Sequence, residues 1–550
     1  MAKLCYTCFA LKIPQNRNYR NLRGDFVSET SRNKQLIVNM IASLLSCVVS
    51  TGISFIITPR IIAQMGAQGS GYLTQANDFV NYAAIAATAL NSMGGRFITI
   101  RIHQKDGKGA NEYFNSTLYC NLGIVAFLII PVIFVVQYLE KIINIDPALT
   151  TDVKMLFALT FVNFMVTIIS TTFSTATFAT NRLDLTAFRT IESQILKAGI
   201  LVLAFAFLPI KVCYMGFATL IATIYLLVFY IYYTKKLLPE IHISPKYFQI
   251  KKILEILSAG IWNTILRAGQ ALTNQLDTII ANLMVGLAEF GYVGTSKIIV
   301  TAIDSLYQSI SAVFTPSLTI SYANNNKEEL VSDLNTAMKL TGFFANIPLA
   351  FMIGFGHDFY ALWLAKAQST VPPEGVRLIY ILSILTMLGT IVGGAISPLF
   401  NVYTVVNKLK WNAFVTLFMG VLSTGIVIVS LSLMQDRSLL GPYIIVGTST
   451  FLGIIKNLTF TPMYAAHCLG LKKRSFYPTI IRYMIVSLAM IGLFIGMHQI
   501  FSISSWGMLC AGILICGICG ATMNFLFLFG KKEKEMLLDT IFKFVKMIKK

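Results

Sequence analysis

The sequence predicts an all-α, polytopic membrane protein with about 14 transmembrane helices. Of the 550 residues, 55% are hydrophobic and only 12% are charged, about half the charged fraction of a soluble domain. The mean hydropathy is +0.69. Because each membrane-spanning helix takes roughly 20 apolar residues, a chain of this length holds about 14 spans and little else. The composition therefore excludes a large soluble catalytic domain.

The apolar runs lie in two groups on either side of a polar segment. Six runs precede that segment, at about 36–57, 75–98, 114–138, 153–178, 191–208 and 213–233. Eight runs follow it, at about 255–285, 292–320, 335–355, 377–401, 412–433, 442–466, 478–499 and 506–529. The polar segment contains five lysines and two prolines, which is typical of a connection between domains.

This order predicts six segments along the chain. Spans 1 to 6 form an N-lobe, spans 7 to 12 form a C-lobe, and spans 13 and 14 form a separate C-terminal helix pair. The predicted boundaries are 1–35 (cytoplasmic N-terminal segment), 36–233 (N-lobe), 234–254 (cytoplasmic connection), 255–466 (C-lobe), 467–529 (helix pair) and 530–550 (basic cytoplasmic tail).

Lysines and arginines are distributed unequally between the two sides of the predicted membrane. The segments on the side of the N-terminus contain 30 of them, and the loops on the opposite side contain five. Basic loops of membrane proteins stay in the cytoplasm, so both termini are predicted to be cytoplasmic. The net charge of +20 then reflects topology, and nucleic acid is not an expected partner.

The cysteines and histidines do not form a recognisable metal-binding pattern. The nine cysteines mostly lie in or at the ends of apolar runs, where they pack as small hydrophobic residues. Cys5 and Cys8 form a CxxC pair, but no second pair or nearby histidine completes a zinc site. The five histidines are scattered. We therefore expect no metal and no cofactor.

A weak internal repeat relates the two lobes. At an offset of 220 residues, Gly71-Tyr72 is paired with Gly291-Tyr292, and polar residues of spans 7 and 8 align with polar residues of spans 1 and 2. Such repeats are typical of transporters whose binding site lies between the two halves. We predict two pseudo-repeated six-helix lobes around a central water-filled cavity, with spans 13 and 14 outside the repeat.

Polar residues recur along one face of each helix that is predicted to line this cavity. In span 7 they follow spacings of three and four residues, which is the period of a helix. Helix-to-helix contacts in membranes also collect polar residues and remain an alternative interpretation. The predicted cavity residues are Asn263, Arg267, Gln270, Asn274 and Asp277 in span 7, Lys297, Asp304 and Gln308 in span 8, Asn77, Asn81 and Asn91 in span 2, and Lys456 in span 12.

The charged members of this set are the most informative, since a charge near the bilayer centre costs a few kcal/mol. The helical rise places Asp277 and Lys297 at similar depth, and it places Arg267 within about 7 Å of the depth of Asp304. We predict two cross-helix ion pairs, Asp277–Lys297 and Arg267–Asp304. These pairs are either static ties or charges exchanged with substrate and ion during transport. Asp78 is also embedded in a span, without an assigned role.

Four stretches together with the two-lobe pattern resemble a known family: Thr58–Ile62, Gly71-Tyr72, Asp277–Gly294 and Thr315–Leu318. They resemble the multidrug/oligosaccharidyl-lipid/polysaccharide (MOP) flippase superfamily over about residues 36–530, and most of all the bacterial polysaccharide (O-antigen, Wzx-type) flippases. The resemblance implies a MATE-like fold in a bacterial inner membrane and alternating access of a cavity formed by spans 1, 2, 7 and 8. The implied cargo is a lipid-linked (polyprenyl-pyrophosphate) oligosaccharide. Membrane lipid and other polysaccharide-assembly proteins are the further candidate partners.

Two other members of the superfamily stay open as alternatives. Exporters of the MATE type couple the export of organic cations to the entry of H⁺ or Na⁺ through membrane carboxylates, and Asp277 and Asp304 are the candidates for that ion-coupling role. The lipid II flippase also has 14 spans, but its group of arginines in the first two helices is missing. Only Arg60 and Arg96 occur there.

A membrane glycosyltransferase, polymerase or ligase is a remote alternative. Such an enzyme is expected to place catalytic groups in a sizeable outer loop. The longest predicted outer loop, at about 356–376, offers only His357, Asp358 and Glu374. We therefore predict no catalytic residues, and a transporter in place of an enzyme.

Overall fold

The computed structural model consists of helices and connecting turns over the residues that it describes, which are 29–180, 182–209, 211–315, 318, 321–322, 326–365, 370–530 and 534–535. Most of the predicted N-terminal segment and of the basic tail lies outside these residues, as do Cys5 and Cys8. The all-α fold class predicted from the sequence is confirmed.

The first helix, α1 (Glu29–His103), consists of two arms joined by a bend. Its 75 residues would form a rod more than about three times as long as the hydrocarbon core is thick. Gly66 interrupts the helix with a φ of 72°, a left-handed conformation that glycine adopts without steric cost. Each arm of α1 is therefore long enough to cross the membrane once and to extend beyond the hydrocarbon core.

The rest of the N-lobe is formed by four long helices: α2 (Gly107–Gln137), α3 (Thr150–Ala179), α4 (Leu183–Phe207) and α5 (Cys213–Leu237). Helix α3 packs along α5, and α2, α3 and α4 all pack against α1. A mainly non-helical stretch follows α5 and contains a single 3₁₀ turn, Pro245–Tyr247.

The second half of the chain begins with a helix that is interrupted near its end and continues through antiparallel helices joined by short turns. Its helices are α6 (Ile250–Asn274), α7 (Leu276–Met284), α8 (Leu287–Val313), α9 (Lys327–Trp363), α10 (Pro373–Val405), α11 (Leu409–Leu433), α12 (Arg437–Leu458), α13 (Phe460–Cys468), α14 (Tyr477–Ile500) and α15 (Trp506–Met523).

The multi-pass membrane character of the chain is confirmed. Within the described residues, eleven helices are long and apolar enough to cross a membrane. One of them, Val48–His103, includes the bend at Gly66. The polar helices α6 and α8 are not among the eleven. The exact number of 14 spans and the boundaries of the predicted segments stay predictions.

The C-terminal helices α14 and α15 pack on α9. Three buried polar side chains fix this contact. Asn346 and Asn524 each donate from Nδ2 to the other's Oδ1 at 3.0 Å, and Asn346 also donates to Oγ of Ser487 at 3.4 Å. The C-terminal helices are therefore attached to α9 of the C-lobe.

The backbones of the two lobes come into contact where the bend of α1 meets the start of α8. A Cβ atom on Gly291 would lie 2.5 Å from the backbone nitrogen of Gln68, and one on Gly294 would lie 3.0 Å from Cα of Gly71. Glycine at these positions allows the backbones of two helices to touch, as small residues do in membrane helix pairs. We call the contact at Gly71, Gly291 and Gly294 the closed end.

Hydrogen bonds reinforce the closed end. Asn144, in the turn before α3, donates from its backbone N and from Nδ2 to Oδ1 and O of Asn282 on α7, and Nδ2 of Asn282 donates to O of Asn144. All three distances are 2.8–2.9 Å. The hydroxyls of Ser70 and Thr295 lie 2.6 Å apart beside them. A buried polar group that loses its partner costs about 1–3 kcal/mol, so these bonds oppose separation of the lobes.

We expect Gly291→Ala to destabilise the closed end. The added methyl group would overlap the backbone of α1, and overpacking of this kind typically costs about 1–3 kcal/mol. The purified variant should therefore have a lower melting temperature in detergent than the unchanged protein. Gly492→Ala is the matched control, because a Cβ atom there meets nothing within 4 Å. Equal melting temperatures for all three proteins would contradict the close contact.

Candidate functional site

A cavity of about 1130 Å³ lies between the two lobes. Its wall is formed mainly by α1, α6, α8, α10 and α12. Ser70 and Gly294 line it at the closed end, and Thr404 and Leu409 line it where α10 gives way to α11. The cavity therefore extends from the closed end to the opposite ends of the helices.

Eleven of the twelve cavity residues predicted from the sequence line this space. The polar faces of α6, α8 and the second arm of α1 turn toward one another, as the helical spacing indicates. Whether these side chains bind a substrate stays a prediction. The eleven residues are Asn77, Asn81, Asn263, Arg267, Gln270, Asn274, Asp277, Lys297, Asp304, Gln308 and Lys456.

Asn91 does not line the cavity. Its Oδ1 accepts hydrogen bonds from Nδ2 of Asn121 at 2.9 Å and from Oγ1 of Thr171 at 3.3 Å. It therefore joins the second arm of α1 to α2 and α3 inside the N-lobe, and its predicted placement in the cavity is wrong. The helical spacing predicts that Asn91 lies on the polar face of α1. It does not predict that α2 and α3 cover this part of the face.

The predicted pair between Asp277 and Lys297 is present. Nζ of Lys297 lies 2.9 Å from Oδ2 of Asp277 and 2.9 Å from the backbone oxygen of Asn274. Ser449 on α12 donates to the same carboxylate oxygen at 3.4 Å. Only 16% of the lysine side chain and 9% of the aspartate side chain are exposed. Removing one partner would leave a buried charge without compensation, so the two residues stabilise the fold only together.

The predicted pair between Arg267 and Asp304 is not formed. Arg267 reaches across to the N-lobe instead, where its Nη2 donates to Oδ1 of Asn81 at 2.6 Å. The helical rise predicted only the depth of the two charges. It could not predict the direction in which the long arginine side chain leaves α6, which depends on the rotamer and on neighbouring groups.

Asp304 on α8 forms no ion pair with any cation in the described part of the chain. Its Oδ1 is buried without a hydrogen-bond partner there, and the hydroxyl groups of Tyr307 and Thr390 lie beside the carboxyl group. A carboxylate that is buried without a counter-charge is costly. A site of this kind is therefore suited to take up a proton or a small cation.

Lys456 on α12 contributes a second cation to the cavity. Its Nζ donates to Oγ1 of Thr416 at 2.8 Å and lies 5.7 Å from the ring centroid of Phe400. Over the described residues, neither Lys456 nor Arg267 has a carboxylate partner. Both cations are therefore held by neutral groups that a charged ligand can replace.

Asp78 lines the cavity, although it is not among the cavity residues predicted from the helical spacing of polar residues. It is 8% exposed, and Thr278 of the other lobe donates to its Oδ2 at 2.5 Å. The sequence feature that could have identified Asp78 is a carboxylate inside an apolar run. Such carboxylates are rare in membrane spans and usually have a function. Asp78, Asp277 and Lys297 all belong to the half of the cavity nearest the closed end.

The described residues contain no group of three or more His, Cys, Asp or Glu side chains that is arranged to hold a metal ion. The cavity wall instead combines amides, hydroxyls and a few charges. Amide and hydroxyl groups both donate and accept hydrogen bonds, and arginine and lysine bind anionic oxygens. The wall is therefore suited to a hydroxyl-rich ligand that carries an anionic group.

These features define a class, a multi-pass membrane protein with two helical lobes around a polar cavity. Residues 36–321 match the family described as "Polysaccharide biosynthesis protein". This match covers more than half of the chain and includes the helices that line most of the cavity. The chain belongs to this family.

Similar proteins agree with this assignment. Membrane protein EpsK of Bacillus subtilis (strain 168) is 27% identical over 501 residues, which cover 91% of this chain and 97% of EpsK. The lipid II flippase MurJ in an inward closed conformation superposes with a TM-score of 0.60 at 17% identity, covering 89% of this chain and 98% of MurJ. A MATE family transporter in an inward-facing conformation has a TM-score of 0.58 at 13% identity. The match covers 79% of this chain and 98% of that transporter. The predicted MATE-like fold is therefore confirmed.

If the Asp277–Lys297 pair is a static tie, exchanging its charges should restore what either single change removes. Asp277→Lys and Lys297→Asp each bring like charges together in a buried place, a loss of about 3–5 kcal/mol. Both single variants should therefore melt at lower temperature in detergent, and the double variant should recover most of the difference.

The unchanged protein and the Asp277→Asn variant provide the reference melting temperatures for this cycle. Recovered stability without recovered transport would assign the pair to the transport cycle. A double variant no more stable than the worse single variant would contradict a direct interaction between the two side chains.

Proposed function

We propose that this protein moves a lipid-linked oligosaccharide, carried on a polyprenyl-pyrophosphate, across the bacterial inner membrane by alternating access. The oligosaccharide would serve the synthesis of a surface polysaccharide such as O-antigen. Membership of the polysaccharide biosynthesis family and the fold of the MOP superfamily support this proposal. The cargo crosses without covalent change, so the protein acts as a transporter and not as an enzyme.

The observation that carries the proposal is the presence in the cavity of two cations without acidic partners. Arg267 is held by Asn81, and Lys456 is held by Thr416. A pyrophosphate offers several anionic oxygens, and an arginine or lysine is attracted more strongly by an anionic oxygen than by the neutral oxygen of an amide or hydroxyl. The pyrophosphate would therefore replace Asn81 and Thr416 as the partner of these cations.

The remaining wall fits the sugar part of the cargo. Asn77, Gln270 and Gln308 line the cavity with exposed side chains. Sugar hydroxyls need partners that donate and accept, which amides supply. The polyprenyl tail would stay in the bilayer outside the lobes, because the cavity wall is too polar to hold a hydrocarbon chain.

The closed end gives the proposed cycle a direction. The distribution of lysines and arginines predicts that the helix ends near Gly71 and Gly291 face the outside. The cavity would then be sealed toward the outside and reach the cytoplasmic ends of the helices, the state in which the cargo is loaded. Separation of the contact at Gly291 and of the bonds between Asn144 and Asn282 would release the cargo outside.

We expect Arg267→Ala and Lys456→Ala each to reduce export of the glycan by at least about tenfold. The loss of a hydrogen bond to a charged group costs about 1.5–3 kcal/mol, which corresponds to an effect of about 10- to 100-fold for each cation. In a strain that lacks the gene, the unchanged protein should restore surface glycan on gels. Each variant should leave the lipid-linked precursor on the cytoplasmic side.

Lys211→Gln is the matched control, because Lys211 is an exposed cation that does not line the cavity. It should restore the glycan fully, and immunoblots of membranes must show equal amounts of all variants. Normal glycan with either cavity variant would remove that residue from the site. Normal glycan in the deletion strain, with increased sensitivity to cationic dyes, would instead favour a drug exporter.

A second candidate function, ion-coupled export of the MATE type, is favoured by Asp304. Its buried Oδ1 has no hydrogen-bond partner in the described residues, so the carboxyl group is suited to carry H⁺ or Na⁺ in exchange for cargo. Asp277 is less suited to that role, because Lys297 already neutralises it. Ion coupling at Asp304 is compatible with either cargo.

We expect Asp304→Asn to uncouple transport from the ion gradient while keeping the shape of the site. In proteoliposomes with a fluorescent lipid-linked oligosaccharide, the unchanged protein should transport faster when a pH or Na⁺ gradient is imposed. The variant should move the cargo at a rate that no longer depends on the gradient.

Asp358→Asn is the control, because Asp358 lies outside the cavity, where its carboxylate binds His498 at 3.0 Å. It removes one carboxylate and should keep the full dependence on the gradient. An unaltered dependence in the Asp304 variant would exclude Asp304 as the coupling site.

A further inference from the structure

The connection between the two lobes is not a loose linker. Residues 239–249 run along α2 without forming an α-helix, with a 3₁₀ turn at Pro245–Tyr247, and we call this segment the strap. Three side chains of α2 face it, Asn111, Asn115 and Ser116, and each is 4% exposed or less. Their hydrogen bonds to the backbone of the strap hold it in place.

The two asparagines bind the strap as the edge of a β-sheet would. Asn111 donates to the backbone oxygen of Glu240 at 2.8 Å and accepts from the backbone nitrogen of His242 at 2.7 Å. Asn115 donates to the oxygen of His242 at 2.9 Å and accepts from the nitrogen of Ser244 at 2.9 Å. Each side-chain amide therefore takes the place of one peptide group in a neighbouring strand.

The spacing of residues along α2 matches the spacing of peptide groups along the strap. Four residues of a helix rise about 6 Å, and two residues of an extended strand advance about 6.6 Å. Asparagines four apart on α2 can therefore bind every second residue of the strap. Ser116 continues the contact, since it accepts from the backbone nitrogen of Gln249 at 2.9 Å. The strap is thus a rigid part of the N-lobe up to the start of α6.

This rigid segment and its flanks display apolar side chains together with lysines. Ile243, Phe248, Ile250 and Leu254 are between 40% and 65% exposed. Exposed lysines accompany them at Lys235, Lys236, Lys246 and Lys251. Of the ion pairs formed by the described residues, none includes any of these four lysines; Lys252 pairs with Glu255. The surface therefore combines unneutralised positive charge with exposed hydrocarbon.

Aromatic rings complete the pattern. Lys236 lies 5.7 Å from the ring centroid of Tyr232, and Lys246 lies 5.0 Å from that of Tyr247. The strap joins the end of α5 to the start of α6, and α2 begins beside it. It therefore lies at the level of the helix ends, where tyrosine and lysine are enriched in membrane proteins because one part of each side chain is apolar and the other polar.

We propose that the strap is a binding site for anionic phospholipid on the membrane face where the lobes are joined. The lysines bind the headgroups, and Ile243 and Phe248 insert beside the glycerol backbone and the first methylene groups. A soluble acidic partner would satisfy the lysines alone and leave the apolar side chains in water. A rigid backbone presents both kinds of group without an ordering cost at each binding event.

This site is distinct from the cavity, and the proposal does not depend on what the cavity transports. None of the strap residues lines the cavity. A lipid bound at the strap would contact the N-lobe and the first turn of α6, which belongs to the C-lobe. The composition of the membrane would therefore act directly on the junction between the two lobes.

Native mass spectrometry of the full-length protein tests the proposal. The protein is titrated in detergent with phosphatidylglycerol or phosphatidylcholine, and the retained lipids are counted. We expect preferential retention of phosphatidylglycerol. Lys246→Gln with Lys251→Gln should weaken it by about fivefold per lysine. The matched control is Lys472→Gln with Lys473→Gln, two exposed lysines in the turn between α13 and α14, which should leave this binding unchanged.

Two further variants separate the contributions of side chains and backbone. Ile243→Ser with Phe248→Ser should weaken retention of the phospholipid and leave the binding of soluble glycerophosphoglycerol unchanged. Asn111→Ala with Asn115→Ala keeps every lysine but releases the strap, and it should also weaken retention. Equal retention of the two phospholipids would overturn the proposal. So would a loss of phosphatidylglycerol retention in the Lys472 and Lys473 control as large as the loss in the Lys246 and Lys251 variant. Full competition by the soluble headgroup would overturn the role of the apolar side chains.

Discussion

The contact between the backbones of α1 and α8 at the closed end is the constraint on which the rest of the cavity depends. A side chain at Gly291 would force the helices apart, because a Cβ atom there would lie 2.5 Å from the backbone of Gln68. Gly71 is paired with Gly291 in the internal repeat, so both halves contribute the same residue to the contact. Where the helices meet, Asp78, Asp277 and Lys297 become buried together; farther along, the same helices form opposite walls of an open space.

The closed end also separates two kinds of charge. Near it, Asp277 and Lys297 neutralise each other. Farther away, Arg267 and Lys456 have only neutral partners in the described structure. A neutral hydrogen bond to a cation is weaker than an ionic one, so an anionic ligand gains free energy by replacing Asn81 or Thr416. Arg267 and Lys456 are therefore the cavity charges that gain most from binding an anionic ligand.

Much of this arrangement follows from the sequence, and the exceptions have physical reasons. Helical spacing predicted which face of α6 and α8 lines the cavity, and helical rise predicted the contact of Asp277 with Lys297. The rise could not show that Arg267 turns toward Asn81, because side-chain direction depends on neighbours from the other lobe. The helical spacing of α1 predicted that Asn91 lies in the cavity. This prediction failed because the spacing does not show where α2 and α3 cover the polar face. The bonds between Asn144 and Asn282 join a turn to a helix in another lobe, and no local pattern marks such a contact.

Contacts between the lobes, which include the approach of Gly260 on α6 to the backbone of Ala89 on α1, limit how the lobes can move. At one end, packing at Gly291 and the bonds of Asn144 oppose opening, yet both consist of non-covalent contacts that water can replace. At the other end, Asn111 and Asn115 fix the strap to the N-lobe, so the covalent link has little slack before Ile250. A rotation that separates the closed end would therefore turn about the first half of α6, where Gly260 packs on the backbone of Ala89. The strap would then lie next to the pivot, and its lipid-facing surface would lie where a small change in contact has the largest effect on the position of the C-lobe.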